Sequence, residues 1–329
     1  MTENKRTVLV TGGAGYVGSH ACKALAAHGF LPVAYDNLSC GYEDSVRWGP
    51  LERGDIGDRA RLDSAISSHR PVAIMHFAAF IAVGESVADP GRYYRNNVAG
   101  SLNLMEAARD HGIGVMVFSS TAAVYGIPES VPIPEDAPKQ PINPYGYSKW
   151  MVECMLRDFG VAHGLKSASL RYFNAAGADP DGDAGERHEP ETHLIPLALD
   201  AVAGNGRPLT VFGEDYATAD GTCIRDYIHV SDLAEAHVAA LEALLGGADS
   251  SAYNLGTGKG FTVREVIDTI EAVTGRPVPY SVGPRRAGDP AALVADPSAA
   301  NRGLGWQPKI SDLESIVATA WAWHQKGHR

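Results

Sequence analysis

A glycine-rich segment near the N-terminus constrains the fold of this chain more than any other feature. The sequence TGGAGYVG follows a short apolar run, Thr7–Val10, and precedes a helix-length segment, Tyr16–Ala27. In a strand–turn–helix unit, Gly12 permits the tight turn, Gly15 lets the backbone approach a pyrophosphate, and Gly18 lets the helix pack closely on the strand. The amides at the helix N-terminus then face the phosphates. The pattern predicts a dinucleotide-binding unit; the alternative is a glycine turn in an unrelated α/β protein.

An acidic residue follows the glycine motif at the distance that such a unit requires. Asp36 ends the second strand-like run, 18 residues after Gly18, where a carboxylate can bind the adenosine ribose diol and repel a 2′-phosphate. No arginine follows Asn37 closely, so the sequence favours NAD over NADP. Asp55 and Ile56 are candidates to flank the adenine, the alternative being a loop aspartate and a core isoleucine.

Strand-like and helix-like segments alternate through the first half of the chain. The further strand-like runs are Leu31–Tyr35, Val72–His76, Val115–Ser119 and Ser167–Tyr172. The helical segments between them are Arg59–Ser68, Tyr93–Arg109 and Tyr145–His163. The alternation predicts an α/β fold with a Rossmann-type doubly wound parallel sheet, covered by helices on both faces.

After about Gly177 the sequence becomes polar and irregular, beginning with DPDGDAGERHEPETH. We therefore predict an NAD-binding Rossmann domain at 1–177 and a smaller, mixed α/β nucleotide-sugar-binding domain at 178–329, with some chain crossover between the two.

Charge and cysteine content exclude several classes of partner. The chain has 28 basic and 39 acidic residues, a net charge of −11, so its overall field repels nucleic acid and anionic membranes. The four cysteines lack paired spacing, so we expect no metal site and no disulfide framework. Without an apolar run of about 18 residues, the chain is expected to be soluble and cytoplasmic.

A tyrosine and a lysine form the candidate reactive pair. Tyr145 and Lys149 are four residues apart and share one helix face, where the ammonium group lowers the pKa of the phenol. FSSTAAVYG places Ser119 and Thr121 at the end of a predicted strand, where ligands gather in open α/β sheets. Tyr147 is the competing phenol, but it points to another face. Taken alone, the pair also fits a surface lysine beside a half-buried tyrosine.

With these motifs and the later ones, the chain resembles the extended short-chain dehydrogenase/reductases, and among them the UDP-glucose 4-epimerases. The matching runs extend over almost the whole length: TGGAGYVGSH, YDNLS, HFAA with VGES, NNVAGSLNLMEA, SSTAAVYG, PINPYGYSK, LRYFNAAGA, HLIP, VFGEDYATADGTCIRDYIHVSDLA, YNLGTG and PRRAGD. The glycine and Tyr-Lys motifs mark only the superfamily, whereas the later runs, above all YATADGTCIRDYIHVSDLA and PRRAGD, are much more specific to the epimerases.

The resemblance implies NAD-dependent interconversion of UDP-glucose and UDP-galactose, through oxidation of carbon 4, rotation of the 4-keto sugar and return of the hydride. Tyr145 would take the hydroxyl proton, Lys149 would lower the pKa of Tyr145 and bind the nicotinamide ribose, and Thr121 would orient the oxygen at carbon 4. The cofactor-binding positions are Gly12, Gly15, Tyr16, Val17, Gly18, Asp36, Asn37, Asp55, Ile56, Phe77, Ala78, Ala79, Asn97, Ser119, Tyr145, Lys149, Tyr172 and Phe173. The substrate-binding positions are Thr121, Tyr145, Asn174, His193, Leu194, Phe212, Arg225, Arg286 and Asp289.

Some of these assignments leave alternatives open. Arg225 and Arg286 are expected at the diphosphate, where guanidinium offers a planar fork, but they also fit a domain-interface salt bridge. His193 stands where some members have Asn, and it also fits a structural histidine. The resemblance makes Leu293 the position that gates the sugar pocket; because Leu is intermediate in size, we expect weak or absent turnover of N-acetylated UDP-sugars. Ile81 replaces a lysine that some members place near the cofactor phosphates.

Three rival functions remain. An epimerase of another UDP-sugar, such as an N-acetylhexosamine, a pentose or a hexuronate, shares all these motifs. A 4,6-dehydratase needs an acid pair where this chain has Ala122 and Ala123. A non-catalytic NAD-binding regulator is expected to lack part of the reactive set. The resemblance also implies a homodimer, paired through helices near Asn97–Arg109 and Tyr145–His163.

Overall fold

The fold is built around one parallel sheet. The computed structural model describes residues 6–286 and 288–327. In chain order the strands are β1 (Thr7–Thr11), β2 (Leu31–Asp36), β3 (Leu51–Arg53), β4 (Ala73–His76), β5 (Val115–Thr121), β6 (Lys166–Tyr172), β7 (Asn174–Ala176), β8 (Leu209–Phe212), β9 (Ile224–Arg225), β10 (Tyr227–His229), β11 (Ser251–Leu255), β12 (Phe261–Thr262), β13 (Tyr280–Gly283) and β14 (Ala292–Leu293). Seven of them form a sheet in the order β11-β6-β5-β4-β1-β2-β3, and its strand pairs are parallel. The predicted Rossmann-type doubly wound sheet is confirmed.

Helices cover both faces of this sheet. They are α1 (Tyr16–Ala27), α2 (Arg59–His69), α3 (Val83–Ala88), α4 (Pro90–Tyr93), α5 (Gly100–Asp110), α6 (Pro144–His163), α7 (Leu194–Ala203), α8 (Val230–Leu245), α9 (Val263–Thr274), α10 (Ser298–Leu304) and α11 (Leu313–His324). The predicted helix at Tyr93–Arg109 is α4 and α5 joined by a π-helical stretch, Tyr94–Ala99. The other predicted helices and strands agree with the structure to within one or two residues at each end.

The side chains of β1 point alternately to the two faces of the sheet and pack into two different core clusters. The side chains of Val8 and Val10 pack in the cluster that includes residues of α1 and α8, whereas Leu9 packs in the cluster formed with α2, α5 and α6. Successive side chains of a strand point to opposite faces, so a strand buried on both sides is apolar throughout. This explains the continuous run Val8–Val10.

Residues beyond 177 also contribute to this sheet. Strand β11 pairs with β6 at its edge, with Tyr253 opposite Leu170, and α8 packs against β5 and β6. Helices α7, α9 and α11 form a third apolar cluster. The division of the chain at 177/178 stays a prediction.

The smaller elements frame the edge of the sheet where the strands end. Strand β9 pairs with β12 and β14, β13 pairs with β8, and β10 pairs with β7. Thr262 and Glu265 form a capping box that begins α9. The polar segment 177–193 carries neither helix nor strand. Within the described ranges, every helix is too short or too polar to cross a bilayer.

Candidate active site

The glycine turn between β1 and α1 has the tight geometry that the sequence predicts. Gly12 has a φ of +76°, and a Cβ there would lie 2.7 Å from the backbone nitrogen of Ala78. A Cβ on Gly18 would lie 2.1 Å from the carbonyl oxygen of Gly12. Gly15 is the N-cap of α1 and has no side chain to satisfy the first amides of the helix. The turn therefore leaves a cradle of backbone N–H groups, which suits a diphosphate.

Asp36 closes one side of this cradle. Its carboxylate accepts hydrogen bonds from the backbone N–H groups of Ala14, at 3.0 Å, and Leu38, at 2.8 Å. Burial raises the pKa of Asp36, and the two backbone hydrogen bonds oppose this effect. Asn37 donates to the Asp55 carboxylate at 2.7 Å, so these predicted adenosine-side residues lie together at the ends of β2 and β3.

Other predicted cofactor positions have clear structural partners as well. The amide side chain of Asn97 accepts from Phe80 N–H at 2.9 Å and donates to Phe80 carbonyl at 3.0 Å and to Ser148 Oγ at 3.1 Å. Asn97 therefore holds the segment after β4 against α6. Ile56 packs in the core cluster with α2 and α5, which agrees with the alternative of a core isoleucine. The predicted neighbours Phe77, Ala78 and Ala79 follow directly after β4.

Tyr16 and Val17, at the start of α1, face away from one another. The Tyr16 hydroxyl donates to the Gly177 carbonyl at 2.6 Å, whereas Val17 packs against the core cluster of α1 and α8. Tyr16 therefore ties the first helix to the beginning of the polar segment 177–193.

The predicted reactive residues meet at the end of β5. Lys149 is buried and donates from Nζ to the backbone carbonyl of Ser119 at 2.8 Å. Tyr145 shares a hydrogen bond with Thr121, and the Ser119 hydroxyl is 2.6 Å from the Tyr172 hydroxyl. The last three residues of one strand thus position both members of the Tyr-Lys pair.

The electrostatics of the pair are set by burial. Burial lowers the pKa of Lys149 to about 7, and the Glu153 carboxylate opposes that shift. Burial also raises the pKa of Tyr145, and the hydrogen bond with Thr121 partly offsets it. Burial thus favours the neutral form of both groups, and an ammonium on Lys149 beside a phenolate on Tyr145 is stable there only because the two opposite charges stabilise each other.

A buried ion pair beneath this site was missed by sequence reasoning. Glu153 is bound by Arg171, with 2.6 Å between Oε2 and Nη2, and by the Ser120 hydroxyl at 2.5 Å. Arg171 also donates to the Tyr125 hydroxyl at 2.9 Å. The position of Glu153, four residues after Lys149 on α6, is the signal that could have identified it.

Four predicted substrate residues form a chain of contacts: Phe212 and Arg225 lie on β8 and β9, and Arg286 and Asp289 lie between β13 and β14. Arg225 Nη2 is 2.5 Å from Asp289 Oδ1, and Asp289 N–H donates to the Arg286 carbonyl at 3.2 Å. The guanidinium of Arg286 lies 4.2 Å from the centre of the Phe212 ring. Arg225 thus does form a salt bridge, and its partner is another predicted substrate residue.

Three further predicted substrate positions have partners within the protein. Asn174, at the start of β7, donates from Nδ2 to the Asp226 carbonyl at 2.9 Å. Leu194 begins α7 and packs against the third core cluster. His193 is the N-cap of α7, and its Nδ1 is 2.8 Å from a Glu191 oxygen, which agrees with the structural alternative for this histidine.

The position predicted to gate the sugar lies beside a predicted cofactor residue. Leu293 and Phe173 pack against the same small cluster, which includes Ala122 and Tyr125. Leu293 is also in register with Arg225 in the neighbouring strand. The structure therefore brings the residue after β6, the end of β5 and the gating position to one place.

Known proteins share the sequence and the fold over almost the whole chain. A sequence model of the NAD dependent epimerase/dehydratase family matches residues 8–256. The UDP-glucose 4-epimerase of Rhizobium meliloti (strain 1021) is 56% identical over 97% of each chain. The crystal structure of the UDP-glucose 4-epimerase from Brucella ovis in complex with NAD has a TM-score of 0.95 at 53% identity, covering 96% of this chain and 98% of that one. A UDP-glucose-4-epimerase from Stenotrophomonas maltophila, with bound NAD and formylated UDP-arabinopyranose, has a TM-score of 0.95 at 41% identity and covers 98% of each chain.

Proposed function

The chain belongs to the NAD dependent epimerase/dehydratase family, and from this premise we propose that it is an isomerase that interconverts UDP-glucose and UDP-galactose with bound NAD. The observation that carries the proposal is the pairing of Tyr145 with Thr121 beside the buried Lys149. This arrangement occurs in a chain 56% identical to a UDP-glucose 4-epimerase. It gives a proton acceptor, a cation and an orienting hydroxyl at the carboxyl end of a parallel sheet.

The residues present fit NAD. The amides at the start of α1 would hold the pyrophosphate, and Asp36 would bind the adenosine ribose. The close approach of Gly12 to Ala78 leaves no room for a side chain in this cradle. When bound, NAD supplies a hydride acceptor that later returns the same hydride to carbon 4 of the hexose.

Tyr145 acts as the base and then as the acid. Its phenolate takes the proton of the 4-hydroxyl group, and the phenol returns it to the 4-keto oxygen after the sugar has turned. Lys149 stabilises the phenolate through its positive charge and is held in place by the Ser119 carbonyl. Thr121 orients the oxygen at carbon 4 through its hydroxyl.

The nucleotide is anchored so that the sugar can turn. Arg225 and Arg286 bind the diphosphate through charge-assisted hydrogen bonds. Asp289 binds the uridine ribose, while Arg225, its salt-bridge partner, contacts both the carboxylate and the diphosphate. Because these groups hold the nucleotide rather than the hexose, the keto sugar can present either face to the same reactive pair. Asn174 and the backbone near Leu194 complete the nucleotide side.

The size of Leu293 favours an unsubstituted hexose, and we propose weak or absent turnover of UDP-N-acetylglucosamine. Leu293 packs against the same cluster as Phe173, which includes Ala122 directly after β5, so a larger group at carbon 2 meets a branched side chain. An epimerase of another UDP-sugar is the second candidate. A non-catalytic regulator is disfavoured because the reactive set is complete.

The oligomeric state and the cellular location of the protein are part of the proposal. We propose a homodimer through α5 and α6, because Leu102, Tyr147 and Met151 on these helices are exposed apolar side chains. We propose a cytoplasmic location, as expected for an enzyme of UDP-sugars.

A panel of UDP-sugars tests the function. Purified protein is incubated with UDP-glucose, UDP-galactose, both N-acetylated hexosamine derivatives and the pentose and hexuronate pairs, and products are separated by chromatography. We expect the glucose–galactose pair to reach equilibrium fastest, and the protein to carry NAD whose near-ultraviolet absorbance rises when UDP-sugar is added. Faster turnover of another pair would replace the proposed substrate, and no turnover with NAD bound would favour the regulator.

A further inference from the structure

Two glutamates and two histidines converge in the polar segment between Gly177 and α7. Glu186, His188, Glu191 and His193 each direct one potential ligand atom, and these atoms all lie within 4.8 Å of one another. The residues come from eight consecutive positions, Glu186–His193, in the polar segment that precedes α7. Because no cysteine contributes, cysteine spacing carries no signal for this group.

We propose that Glu186, His188, Glu191 and His193 form a binding site for one divalent transition-metal ion of the zinc class. Imidazole nitrogen and carboxylate oxygen are the donors that zinc accepts besides thiolate. The site lies outside the proposed reactive residues, and its metal is structural: all four positions around the ion are taken by protein.

The distances between the donors approach those of a four-coordinate ion. His193 Nδ1 is 2.9 Å from Glu186 Oε1 and 2.8 Å from Glu191 Oε1, and His188 Nδ1 is 3.1 Å and 3.6 Å from the same two carboxylates. Ligands at zinc bond lengths in a tetrahedron are roughly 3.3–3.6 Å apart. In these four histidine–glutamate pairs the atoms need to separate by only a few tenths of an ångström to admit the ion, and all four donors already lie within 4.8 Å of one another.

Three of the four side chains are largely shielded from water, and His193 lies at the surface of the cluster. The exposed fractions of the side chains are 9% for Glu186, 13% for Glu191, 20% for His188 and 42% for His193. The Tyr16 ring of α1 lies edge-on to His188 with the ring centres 6.2 Å apart. The backbone of the cluster is held too, because Trp323 donates from Nε1 to the Glu186 carbonyl at 3.1 Å.

Charge balance also favours a divalent ion. Each histidine Nδ1 lies within 3.6 Å of both carboxylates, so the four donors comprise two negative charges and two imidazole nitrogens. A divalent cation bound between them balances the two carboxylates, and its binding weakens as the pH falls because protons compete for the nitrogens.

The other cluster of potential metal ligands, Asp179, Asp181 and Asp183, is not proposed as a metal site. Asp179, Asp181 and Asp183 also bring their carboxylates together, but the Lys23 ammonium lies 2.7, 2.8 and 3.1 Å from them. That cluster already contains its cation. The group of Glu186, His188, Glu191 and His193 differs because two of its donors are imidazole nitrogens, which bind a transition metal in their unprotonated form.

The test is direct titration of untagged, NAD-containing protein with Zn²⁺ at pH 8, measured against a chromophoric chelator, with Co²⁺ as a spectroscopic probe. We expect one Zn²⁺ per chain and intense visible bands of tetrahedral Co²⁺ without a thiolate charge-transfer band. His188→Gln and Glu191→Gln should each weaken Zn²⁺ binding at least ~10-fold, since each removes one ligand. His163→Gln and Glu129→Gln, which alter exposed residues elsewhere, should leave the affinity unchanged.

Three results would overturn the proposal: no stoichiometric binding, binding that the two ligand variants retain, or octahedral Co²⁺ spectra. If a ligand variant loses its NAD and its circular dichroism, the Co²⁺ spectrum of the unsubstituted protein decides alone. Turnover is not the readout, so the result is independent of the proposed epimerase activity.

Discussion

Lys149 donates a hydrogen bond from its buried ammonium group to the Ser119 carbonyl at 2.8 Å, and this contact fixes the lysine at the end of β5. Two residues later in the same strand, Thr121 is hydrogen-bonded to Tyr145. A carbonyl at Ser119 stabilises the charged form of the amine, while burial alone would remove the charge. The strand end therefore determines both where the phenol lies and how close the cation remains to it.

Removing the hydroxyl group of Tyr145 while keeping its ring tests the role of this residue as the catalytic base. We expect Tyr145→Phe to keep its NAD and to lower kcat by about 10²–10⁴-fold, the usual size of a general-base contribution. The measurement is steady-state turnover of UDP-galactose with NAD content determined on the same sample.

Tyr147→Phe is the matched control for this substitution. Tyr147 lies two residues away on α6 and is exposed, so removing its hydroxyl should leave kcat within about twofold, as for a surface change. Near-normal turnover of the Tyr145 variant, or a large loss in the Tyr147 variant, would exchange the roles of the two phenols.

The charge of Lys149 should appear in the pH dependence of activity. A neighbouring cation lowers the pKa of a phenol, so Lys149→Met should raise the pKa of Tyr145 and move the rising limb of kcat to higher pH. The measurement is kcat from pH 6 to 10 for both proteins. A lower kcat with an unchanged profile would mean that Lys149 only positions the ligand.

The buried pair beneath the site gives a prediction for stability. The side chains of Arg171 and Glu153 are 5% and 6% exposed, so Glu153→Gln leaves a buried guanidinium without its counter-charge. We expect a loss of about 3–5 kcal/mol in the free energy of unfolding, measured by urea denaturation of the NAD-containing protein.

An exposed pair on the same helix provides the control. Arg157 and Asp158 are both 67% exposed, and Asp158→Asn should cost less than about 0.5 kcal/mol because water screens the pair. Equal effects of the two substitutions would contradict the view that burial makes the Glu153 pair important.

Substitutions at the adjacent residues Arg285 and Arg286 test which arginine binds the diphosphate. Arg286 lies over Phe212 and beside Asp289, whereas Arg285 is paired with the exposed Asp215. We expect Arg286→Ala to weaken UDP binding about 10–100-fold, the loss of one or two charge-assisted hydrogen bonds. Calorimetric titration with UDP measures this, and Arg285→Ala should bind UDP as the unsubstituted protein does; the reverse order would move the diphosphate to Arg285.

The sequence predicted those features whose residues all lie within one short segment of the chain. The glycine turn, the strands of the sheet and the Tyr145–Lys149 spacing each depend on residues close together in the chain, and the structure agrees with them. The pairing of β11 with β6, the Arg171–Glu153 ion pair and the contact between Arg225 and Asp289 join residues that lie far apart. Local periodicity does not predict the partners in such contacts, because they depend on how separate elements pack against one another.

Leu293 gives a prediction about which sugars enter the site. It packs with Phe173 and Ala122, so Leu293→Ala opens space beside the expected position of the hexose, and we expect kcat/KM for UDP-N-acetylglucosamine to rise at least ~10-fold relative to that for UDP-glucose. Val294→Ala is the matched control: the next residue loses apolar volume in another environment, beside Gly260, and should change stability without changing the ratio of the two substrates. Both ratios come from competition between the two UDP-sugars in one reaction. An unchanged ratio in the Leu293 variant would place the N-acetyl group away from this side chain and leave its exclusion to the residues that hold the nucleotide.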